Sequence, residues 1–527
     1  MSSYTPSESS FDGEIRIDGV DRVFKPRKIL VVLLVPLAMS LIAVSSVNVA
    51  LTSIGVGLNA SDSQLQWVLS GYALAIGITL VPAGRLGDLL GRGTLFQIGV
   101  ALFTLGSILS GLANDPSFLN IARLIQGIGG GLFAPQTMGI IQQTFAGQAR
   151  AKAFGLFGMV VSVAVAIGPV LAGLLITLFG EQEGWRYTFF VNGPVGLIGF
   201  ILGFMWLPFG REREWLAQRR AKKARKRGET TDSVADNAAL TSSDEEAPVT
   251  SSKKRKSKLD LDPVGAFLLT ASVLGIMYPF TAREFSWPLA LVFVAALALL
   301  FAWWKWEAYY TARGNFPMVN LDLLKIPSFS MGTTVSGAYF LGSTTTFTIM
   351  AMYLQMGLGE SAFVAGTIGL PNAFLSAIAA KWASQRALTA GRKIIQLSLA
   401  AMVVGSVTSA TVVYFVSTGF ASFWWLLLTL AIFGFGQGAF GAVNQTLALQ
   451  DVPIEHGGTA GGVKQTVERI STAIGNAIMT AIFFTAAPLL GFHNAVIVAF
   501  VAIISAQLIA LGLGYLDLRR AERAARA

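Results

Sequence analysis

The chain has 527 residues, of which 53% are hydrophobic and 13% are charged, and its mean hydropathy is +0.61. A soluble globular protein carries roughly 25% charged residues, so we expect most of this chain to face lipid or the interior of a helical bundle. The net charge of +10 lies largely between apolar stretches, which indicates membrane orientation rather than nucleic-acid binding. With no cysteine and only two histidines, the sequence predicts no metal site, no cofactor and no catalytic centre.

A membrane-spanning helix needs roughly 20 apolar residues, and about fourteen stretches meet that requirement. Their approximate positions are 29–51, 66–84, 94–113, 118–142, 153–179, 187–209, 263–282, 288–307, 329–355, 362–383, 393–416, 422–449, 461–488 and 493–516. Basic residues collect on one side of this pattern, from Lys25 and Arg92 to Arg392 and Arg523, whereas the opposite loops are mostly acidic. This asymmetry predicts that both termini are cytoplasmic. No signal-peptide pattern precedes the first span, so we expect a multi-pass protein of a bacterial plasma membrane.

Composition also divides the chain. Residues 210–262 combine two basic blocks with a run rich in Ser, Thr and Asp, so we predict a disordered cytoplasmic linker there. The predicted divisions are a cytoplasmic N-terminal tail at 1–28, a six-helix bundle at 29–209, the linker at 210–262, two extra transmembrane helices at 263–307, a second six-helix bundle at 308–516 and a cytoplasmic tail at 517–527.

The most informative segment is GRLGDLLGR, which lies between the second and third spans. It is too charged to cross a bilayer, so we expect a short loop at the membrane surface. Its glycines would allow two helix ends to approach closely, and Asp88 is placed to accept hydrogen bonds from a helix N-terminus or to pair with an arginine. The candidate residues of this loop are Gly84, Arg85, Gly87, Asp88, Gly91 and Arg92.

Two further spans carry residues that are unusual in lipid. Arg123 lies in the apolar fourth span, with Gln126 one turn later. A buried arginine is functional by default, although neighbouring carbonyls could instead satisfy it structurally. In the fifth span, Gly168 and Pro169 predict a kink, and Gly173 predicts close helix packing.

Taken in order, these segments resemble signatures of the major facilitator superfamily. GRLGDLLGR resembles its loop between spans two and three, IARLIQGIGGGLFAPQ its fourth-span arginine motif, and SVAVAIGPVLAGLL its antiporter motif. WVLSGYAL, GWRYTFFVNGPVGLIG, LDPVGAFLL and GGVKQTVERISTAIG are similar to segments of its fourteen-span drug:proton antiporters. The resemblance implies an all-α fold, with two pseudo-symmetric six-helix bundles and two extra central helices. It also implies that the 84–92 loop is a conformational switch, that Arg123 acts in proton relay or gating, and that the fifth-span kink is of antiporter type.

The first span departs from that branch, which typically carries an acidic residue where this chain has Ala43. The thirteenth span offers a replacement, because Lys464 and Glu468 are four residues apart and share a helix face. A carboxylate beside an ammonium within a span could exchange a proton, so we include both residues in the proton relay or gate. A locked ion pair, or charges that snorkel to the interface, are the alternatives.

Polar residues at helical spacing predict a substrate cavity between the two bundles, near the membrane midplane. The candidate cavity residues are Ser45, Asn48, Gln126, Tyr339, Asn372, Gln437 and Asn444. Gln437 and Asn444 are seven residues apart and are therefore expected on one helix face. Small polar residues of this kind could instead serve helix packing.

These observations predict a secondary active transporter that exports small amphipathic compounds or drugs in exchange for protons, by alternating access. The sequence has no phosphate-binding G-x-x-x-x-G-K-[ST] loop, so we do not expect ATP to drive it. The expected partners are a small-molecule substrate, protons and membrane lipids, without nucleic acid, and the protein is expected to work as a monomer. The alternatives are an exporter of a specific metabolite, such as an amino acid, sugar or lipid precursor, and an uptake symporter. A membrane enzyme is disfavoured, since no nucleophile–base constellation is recognisable.

Overall fold

The computed structural model of the protein describes residues 15–17, 20–207, 209, 262–281 and 287–526. The predicted linker at 210–262 lies outside the described residues except for Asp262, and so do residues 1–14 and 18–19 of the predicted N-terminal tail. Across the described ranges the chain is predominantly helical, which confirms the predicted fold class.

The exception to the helical structure is a short antiparallel strand pair before the first helix. β1 (Ile15–Ile17) pairs with β2 (Val20–Phe24), and the helices begin two residues later at Pro26. The sequence does not predict these strands, because the tail is polar and mixed in charge. Phe24, at the end of β2, is buried in the same apolar cluster as Leu30 and Leu207.

The first half of the described chain contains α1 (Pro26–Leu58), α2 (Asp62–Leu90), α3 (Arg92–Gly111), α4 (Pro116–Thr144), α5 (Gly147–Phe179), α6 (Gly184–Phe190) and α7 (Asn192–Trp206). Local sequence explains several helix starts. Ser61 and Gln64 form a capping box at α2, and Asp115 accepts a hydrogen bond from the Phe118 backbone at α4. α6 and α7 follow one another closely and together occupy the sixth predicted span.

The two extra helices are α8 (Pro263–Thr281) and α9 (Trp287–Ala312). After them come α10 (Pro327–Met352), α11 (Ala362–Thr367), α12 (Leu370–Ser384), α13 (Ala387–Ser417), α14 (Leu426–Ala448) and α15 (Gly457–Arg526). Short helical turns lie at Leu321–Lys325, Tyr353–Gly357, Phe423–Trp425 and Ile454–His456. α15 is two helices in sequence, because Gly491 has φ 80° and ψ 161°, a conformation that glycine adopts readily and that interrupts the helix.

Eleven helical stretches of the described residues are long and apolar enough to cross a membrane, where α6 with α7 and α11 with α12 each count as one stretch. One of them is α15, which supplies a span on each side of Gly491. α4 and α10 are also long enough, at 29 and 26 residues, but their glycines and polar side chains make them less apolar. With these additions, the described residues contain a helical segment at each predicted span.

Two groups of helices pack mainly within themselves. In the first half, α1 packs on α5, and α4 packs on α2 and α3; in the second half, α14 packs on α12 and α13, and α10 packs on α15. The two halves meet where α2 contacts α15 and where α5 contacts α12. α8 packs on α9 and also contacts α2 and α15, so the extra helices adjoin the boundary between the halves.

Candidate functional site

The charged segment at 84–92 differs from its prediction as a loop. α2 continues as a helix to Leu90, and only Gly91, with φ 116° and ψ 126°, separates it from α3. The charged residues do not end the helix because they are buried against other helices: Arg85, Asp88 and Arg92 are each less than a tenth exposed. We call the contact of residues 84–92 and Gln142 with residues 449–459 the latch.

Asp88 joins the two halves of the molecule at the latch. Its Oδ1 accepts a hydrogen bond from the backbone of Gly458 at 3.0 Å, and its Oδ2 accepts from the backbone and the hydroxyl of Thr459 at 2.8 and 2.7 Å. Because these residues begin α15, the carboxylate faces the positive end of that helix dipole. Arg92 donates to Oδ1 from Nε at 3.0 Å and from Nη2 at 2.7 Å. Asp88 therefore has both of the partners that the sequence analysis gives as alternatives, a helix N-terminus and an arginine.

Two glycines let the latch close. A Cβ at Gly84 would lie 2.3 Å from the carbonyl oxygen of Gly458 in the other half. A Cβ at Gly87 would lie 1.9 Å from Oε1 of Gln136 in α4. A larger residue at either position would force helices or side chains apart, as the sequence predicts for a close approach of helix ends.

The latch contains further hydrogen bonds that sequence reasoning missed. Nε2 of Gln142, near the end of α4, donates to the carbonyls of Leu449 and Val452 at 3.0 and 2.8 Å. Arg92 also crosses the boundary and donates from Nη2 to the carbonyl of Ile454 at 2.5 Å. A glutamine near a helix end carries no recognisable signal in one sequence, because its partners lie more than 300 residues away.

A second contact between the halves lies where α5 begins and α12 ends. Nε2 of Gln148 donates to the carbonyls of Ser384 and Gln385 at 3.2 and 3.0 Å. A Cβ at Gly155 would lie 2.3 Å from the hydroxyl oxygen of Ser384, so α5 and α12 are also in close contact. Both boundaries are therefore closed near this end of the bundle.

Arg123 is almost completely buried, with 1% of its surface exposed. Its Nε donates to the carbonyl of Val68 at 3.0 Å, and its Nη1 donates to Oε1 of Gln126 at 2.5 Å. The guanidinium also lies over the rings of Tyr72 at 4.1 Å and Phe189 at 5.7 Å. A carbonyl, an amide and two aromatic faces thus surround the charge, and Gln126 belongs to this cluster.

The fifth-span glycines have unequal roles. A Cβ at Gly168 would lie 1.9 Å from the hydroxyl oxygen of Ser45, and Ser46 donates to the carbonyl of Gly168 at 2.9 Å. Ser45 therefore packs α1 against α5, and its hydroxyl bonds its own helix rather than facing a cavity. The prediction of close packing at Gly173 is wrong, because a Cβ there would meet nothing within 4 Å. Ala172 is the buried residue at that level, since consecutive helix positions face different directions.

Lys464 and Glu468 form a buried ion pair one turn apart in α15. Oε1 of Glu468 accepts hydrogen bonds from Lys464 and from the hydroxyl of Ser336 in α10, the latter at 2.7 Å. Lys464 also lies 3.3 Å from the same hydroxyl. The neighbouring Arg469 is exposed and within electrostatic reach of Tyr72 in α2, so its charge faces the boundary between the halves.

An aromatic surface adjoins this ion pair. Tyr339 of α10 is buried and stacks on Phe440 of α14, with ring centroids 4.2 Å apart and planes inclined by 16°. The Tyr339 hydroxyl interacts with the Gln437 side chain and is within electrostatic reach of Glu468. Two of the candidate cavity residues, Tyr339 and Gln437, are thereby brought together beside the ion pair.

Other candidate cavity residues lie elsewhere. Asn372 is buried and donates to the carbonyl of Leu430 at 3.0 Å, so it ties α12 to α14, the packing role that the sequence left open. Asn48 is exposed on α1. Neither residue forms a hydrogen bond with Tyr339 or Gln437 among the described residues.

Asn444 occupies a separate small cavity. Although it shares a helix with Gln437, it lies beside the ion pair of Arg392 and Asp517, whose Nε and Oδ2 atoms are 3.0 Å apart. Its amide is buried and makes no hydrogen bond with the described residues. Seven residues of helix rise place Asn444 about 10 Å from Gln437 along the axis of α14, and a common substrate cavity for the two residues stays a prediction.

A bundle of membrane-length helices with buried charges at the boundary of its halves defines a multi-pass membrane transporter. The family model described as Major Facilitator Superfamily matches residues 33–281. A probable actinorhodin transporter of Streptomyces coelicolor is 30% identical over 453 residues, which cover 85% of this chain and 70% of that protein. This chain belongs to the major facilitator superfamily.

Other similar proteins agree with this assignment. The riboflavin transporter RibZ of Clostridioides difficile is 25% identical and covers 86% of this chain and 88% of its own length. The tetracenomycin C resistance and export protein of Streptomyces glaucescens is 25% identical, and the match covers 85% of this chain and 74% of that protein. Among solved structures, the proton:xylose symporter XylE matches with a TM-score of 0.60 at 14% identity, over 92% of this chain and 94% of that chain. That likeness confirms the predicted fold, while the named relatives include antibiotic exporters.

Proposed function

We propose that the protein exports small amphipathic compounds in exchange for protons, by alternating access. The observation that carries this proposal is the buried cluster of Lys464, Glu468 and Ser336 beside the stacked rings of Tyr339 and Phe440. The cluster combines an acid that can gain and lose a proton with an aromatic surface suited to an apolar ring.

The latch supports the alternating-access part of the proposal. Its hydrogen bonds join the two halves at one end of the bundle, so they must break when that end opens. Arg92, Arg150 and Arg392 lie towards this end, and the excess of basic residues favours a cytoplasmic location for it and for both termini. The proposed setting is a bacterial plasma membrane, where a monomer contacts lipid, protons and one small-molecule substrate.

Exchange, rather than co-transport, requires that substrate and proton oppose each other at the same group. An ionised Glu468 attracts a hydrogen-bond donor or a cationic group of a substrate, and protonation removes that attraction. Proton binding therefore releases the substrate, and by linkage the substrate releases the proton. An anionic substrate held by Lys464 would behave in the opposite way, since a proton on Glu468 would free the ammonium to bind it.

The decisive experiment is transport of a fluorescent lipophilic cation into inside-out membrane vesicles, with and without an imposed proton gradient. We expect accumulation that depends on the gradient, that Glu468→Gln loses, and that the exposed control Glu181→Gln, which lies outside the latch, keeps. Accumulation in Glu468→Gln equal to that of the wild type would remove Glu468 from the mechanism. No accumulation in the wild type would overturn the export of cationic compounds.

A second candidate function is the export of one specific metabolite with an anionic group. It is favoured by the buried cation Lys464 and by Arg123 and Arg469, which both act electrostatically on Tyr72 of α2. The buried Ala43 in place of a first-span acid also favours it. The similarity to a riboflavin transporter is compatible with a specific substrate. The two candidates predict opposite effects of pH on substrate binding. Lowering the pH should weaken substrate binding for the exchanger and strengthen it for an anion held by Lys464.

A further inference from the structure

Two buried carboxylates meet at one end of the extra helix pair α8–α9. Asp262 lies directly before α8, and its Oδ1 accepts hydrogen bonds from the Gly265 backbone at 2.9 Å and from Nε1 of Trp306 at 2.9 Å. Its Oδ2 accepts a longer bond, of 3.3 Å, from the Met318 backbone. Donors at both oxygens suit an ionised carboxylate, so we take Asp262 as the charged member of the pair.

Glu307 of α9 is completely buried, with 0% of its surface exposed. Its Oε1 accepts hydrogen bonds from Nε1 of Trp303 at 2.8 Å and from the Val319 backbone at 3.3 Å. Its Oε2 is buried and has no hydrogen-bond partner among the described residues. An ionised carboxylate with one bare buried oxygen is strongly destabilised, whereas a proton on that oxygen removes the charge.

Gly265 brings the two carboxylates together. A Cβ at this position would lie 2.2 Å from Oδ2 of Asp262 and 3.0 Å from Oε1 of Glu307, so both acids adjoin the space beside the glycine. Asp262 is also the charged group that acts electrostatically on Glu307. Two like charges this close in an apolar setting cannot both persist without a cation, and one acid takes a proton instead.

The charged residues nearest to this pair have other partners. On α9, Lys305 and Arg313 lie over aromatic rings, and on the turn before α10, Asp322 and Lys325 form an exposed ion pair with each other. In the described part of the chain, none of these four forms an ion pair with Glu307. α2 and α15 contribute apolar side chains to the surrounding cluster, which include Leu74, Val81, Val463, Ile470 and Ala473.

We propose that Glu307 binds a proton on Oε2, so that α8 and α9 carry a protonation site separate from the Lys464–Glu468 pair. The carboxylate takes one proton from water and becomes neutral, and it returns that proton to water on release. While the proton is bound, the two acids hold the backbone at Met318 and Val319, which ties the extra helices to the segment that leads into α10. Loss of the proton places two negative charges side by side and weakens this tie.

The test is infrared difference spectroscopy of the full-length protein in lipid, across a pH titration. The carbonyl stretching band of a protonated carboxylic acid should be present at neutral pH, where exposed acids are ionised, and it should disappear in Glu307→Gln. Asp262→Asn, which removes the neighbouring charge, should weaken the band at neutral pH. Glu468→Gln and the exposed control Glu455→Gln should leave it unchanged.

Three outcomes would overturn the proposal. They are the absence of the band in the wild type, a band that survives unchanged in Glu307→Gln, and a band that Glu468→Gln removes. The last outcome would assign the bound proton to the transport pair. If Glu307→Gln does not fold, the Asp262→Asn comparison decides, because an unchanged band in that variant separates the proton from this pair. If the protein does not transport but the Glu307 band is present, the result counts against the proposed exchange mechanism and leaves the Glu307 proposal standing.

Discussion

The latch and the middle of the bundle each contain a buried acid–base pair with the same local spacing. Asp88 and Arg92 are four residues apart in sequence, as are Lys464 and Glu468. Asp88 accepts three of its hydrogen bonds from α15, across the boundary between the halves, whereas Glu468 is bonded by Ser336 of its own half. Helical spacing therefore makes each pair, but the neighbouring helices decide whether it fastens the two halves or stays within one.

Asp88→Asn should have the largest effect of the proposed substitutions, because Asp88 joins the two halves. The amide turns an N–H group towards the donors of Gly458 and removes one member of a buried ion pair, which costs about 3–5 kcal/mol. We expect transport at background level. The closure itself can be measured by alkylation of a cysteine placed at Met138, which is buried against Gly461 of the other half, in a chain without native cysteine.

In that Met138→Cys background, Asp88→Asn should accelerate alkylation by on the order of a hundredfold or more, since each 1.4 kcal/mol is about a factor of ten. The parent Met138→Cys protein provides the reference rate. An unchanged rate would show that Asp88 does not hold the latch closed.

Glu468→Gln should differ from Asp88→Asn, because it should stop proton-driven transport without opening the latch. The amide keeps a hydrogen bond with Ser336 but loses the ion pair with Lys464, and neither partner lies across the boundary. We expect a loss of proton-driven transport. The alkylation rate of Met138→Cys should stay within about threefold of the parent, which corresponds to a change of under ~0.6 kcal/mol in the free energy of closure. Rapid alkylation in this variant would mean that the ion pair also holds the latch.

Gln142→Leu should weaken the latch by an intermediate amount. The change removes two neutral hydrogen bonds to the carbonyls of Leu449 and Val452, each with a contribution of about 1 kcal/mol. Alkylation of Met138→Cys should accelerate roughly thirtyfold, with transport reduced but measurable. Gln143→Leu is the comparison on the same helix, since it removes a single longer hydrogen bond, of 3.4 Å, from Arg92. An equal effect of both substitutions would point to general helix destabilisation instead.

Thr459→Val should weaken the latch least among the three substitutions of latch residues. It removes the hydroxyl that donates to Oδ2 of Asp88 but retains the backbone donor of the same residue. The loss of one hydrogen bond to a charged group costs about 1.5 kcal/mol when other donors remain. Alkylation should accelerate by about tenfold or less, and a larger effect than that of Gln142→Leu would reverse the ranking of the two contacts.

The sequence predicts the helices better than their ends. Apolar length places every span, because lipid demands internally bonded helices of membrane length. The charged end of α2 is mistaken for a loop because Asp88 and Arg92 look exposed until their partners in α15 are known. The β1–β2 pair is missed for the opposite reason, since a polar tail carries no apolar alternation that would indicate strands.

For the candidate site, the sequence identifies residue types but not their groupings. The Lys464–Glu468 pair is found because the two residues lie one helix turn apart, a distance over which sequence spacing predicts contact reliably. Ser336 is missed, since it is an ordinary serine in a span rich in hydroxyl groups. Gly173 is misplaced because helical spacing fixes a face without saying which neighbour that face meets.

The sequence by itself determined that this protein is a bundle of membrane-spanning helices with buried charges at a few positions, because lipid excludes unpaired backbone groups and most charged side chains. Only the tertiary structure decided which charges are joined to which helices. Asp88 with Thr459, Gln142 with Leu449 and Asp262 with Glu307 all pair residues from distant parts of the chain. Such contacts depend on how the helices pack against one another, and local sequence does not encode that arrangement in a readable pattern.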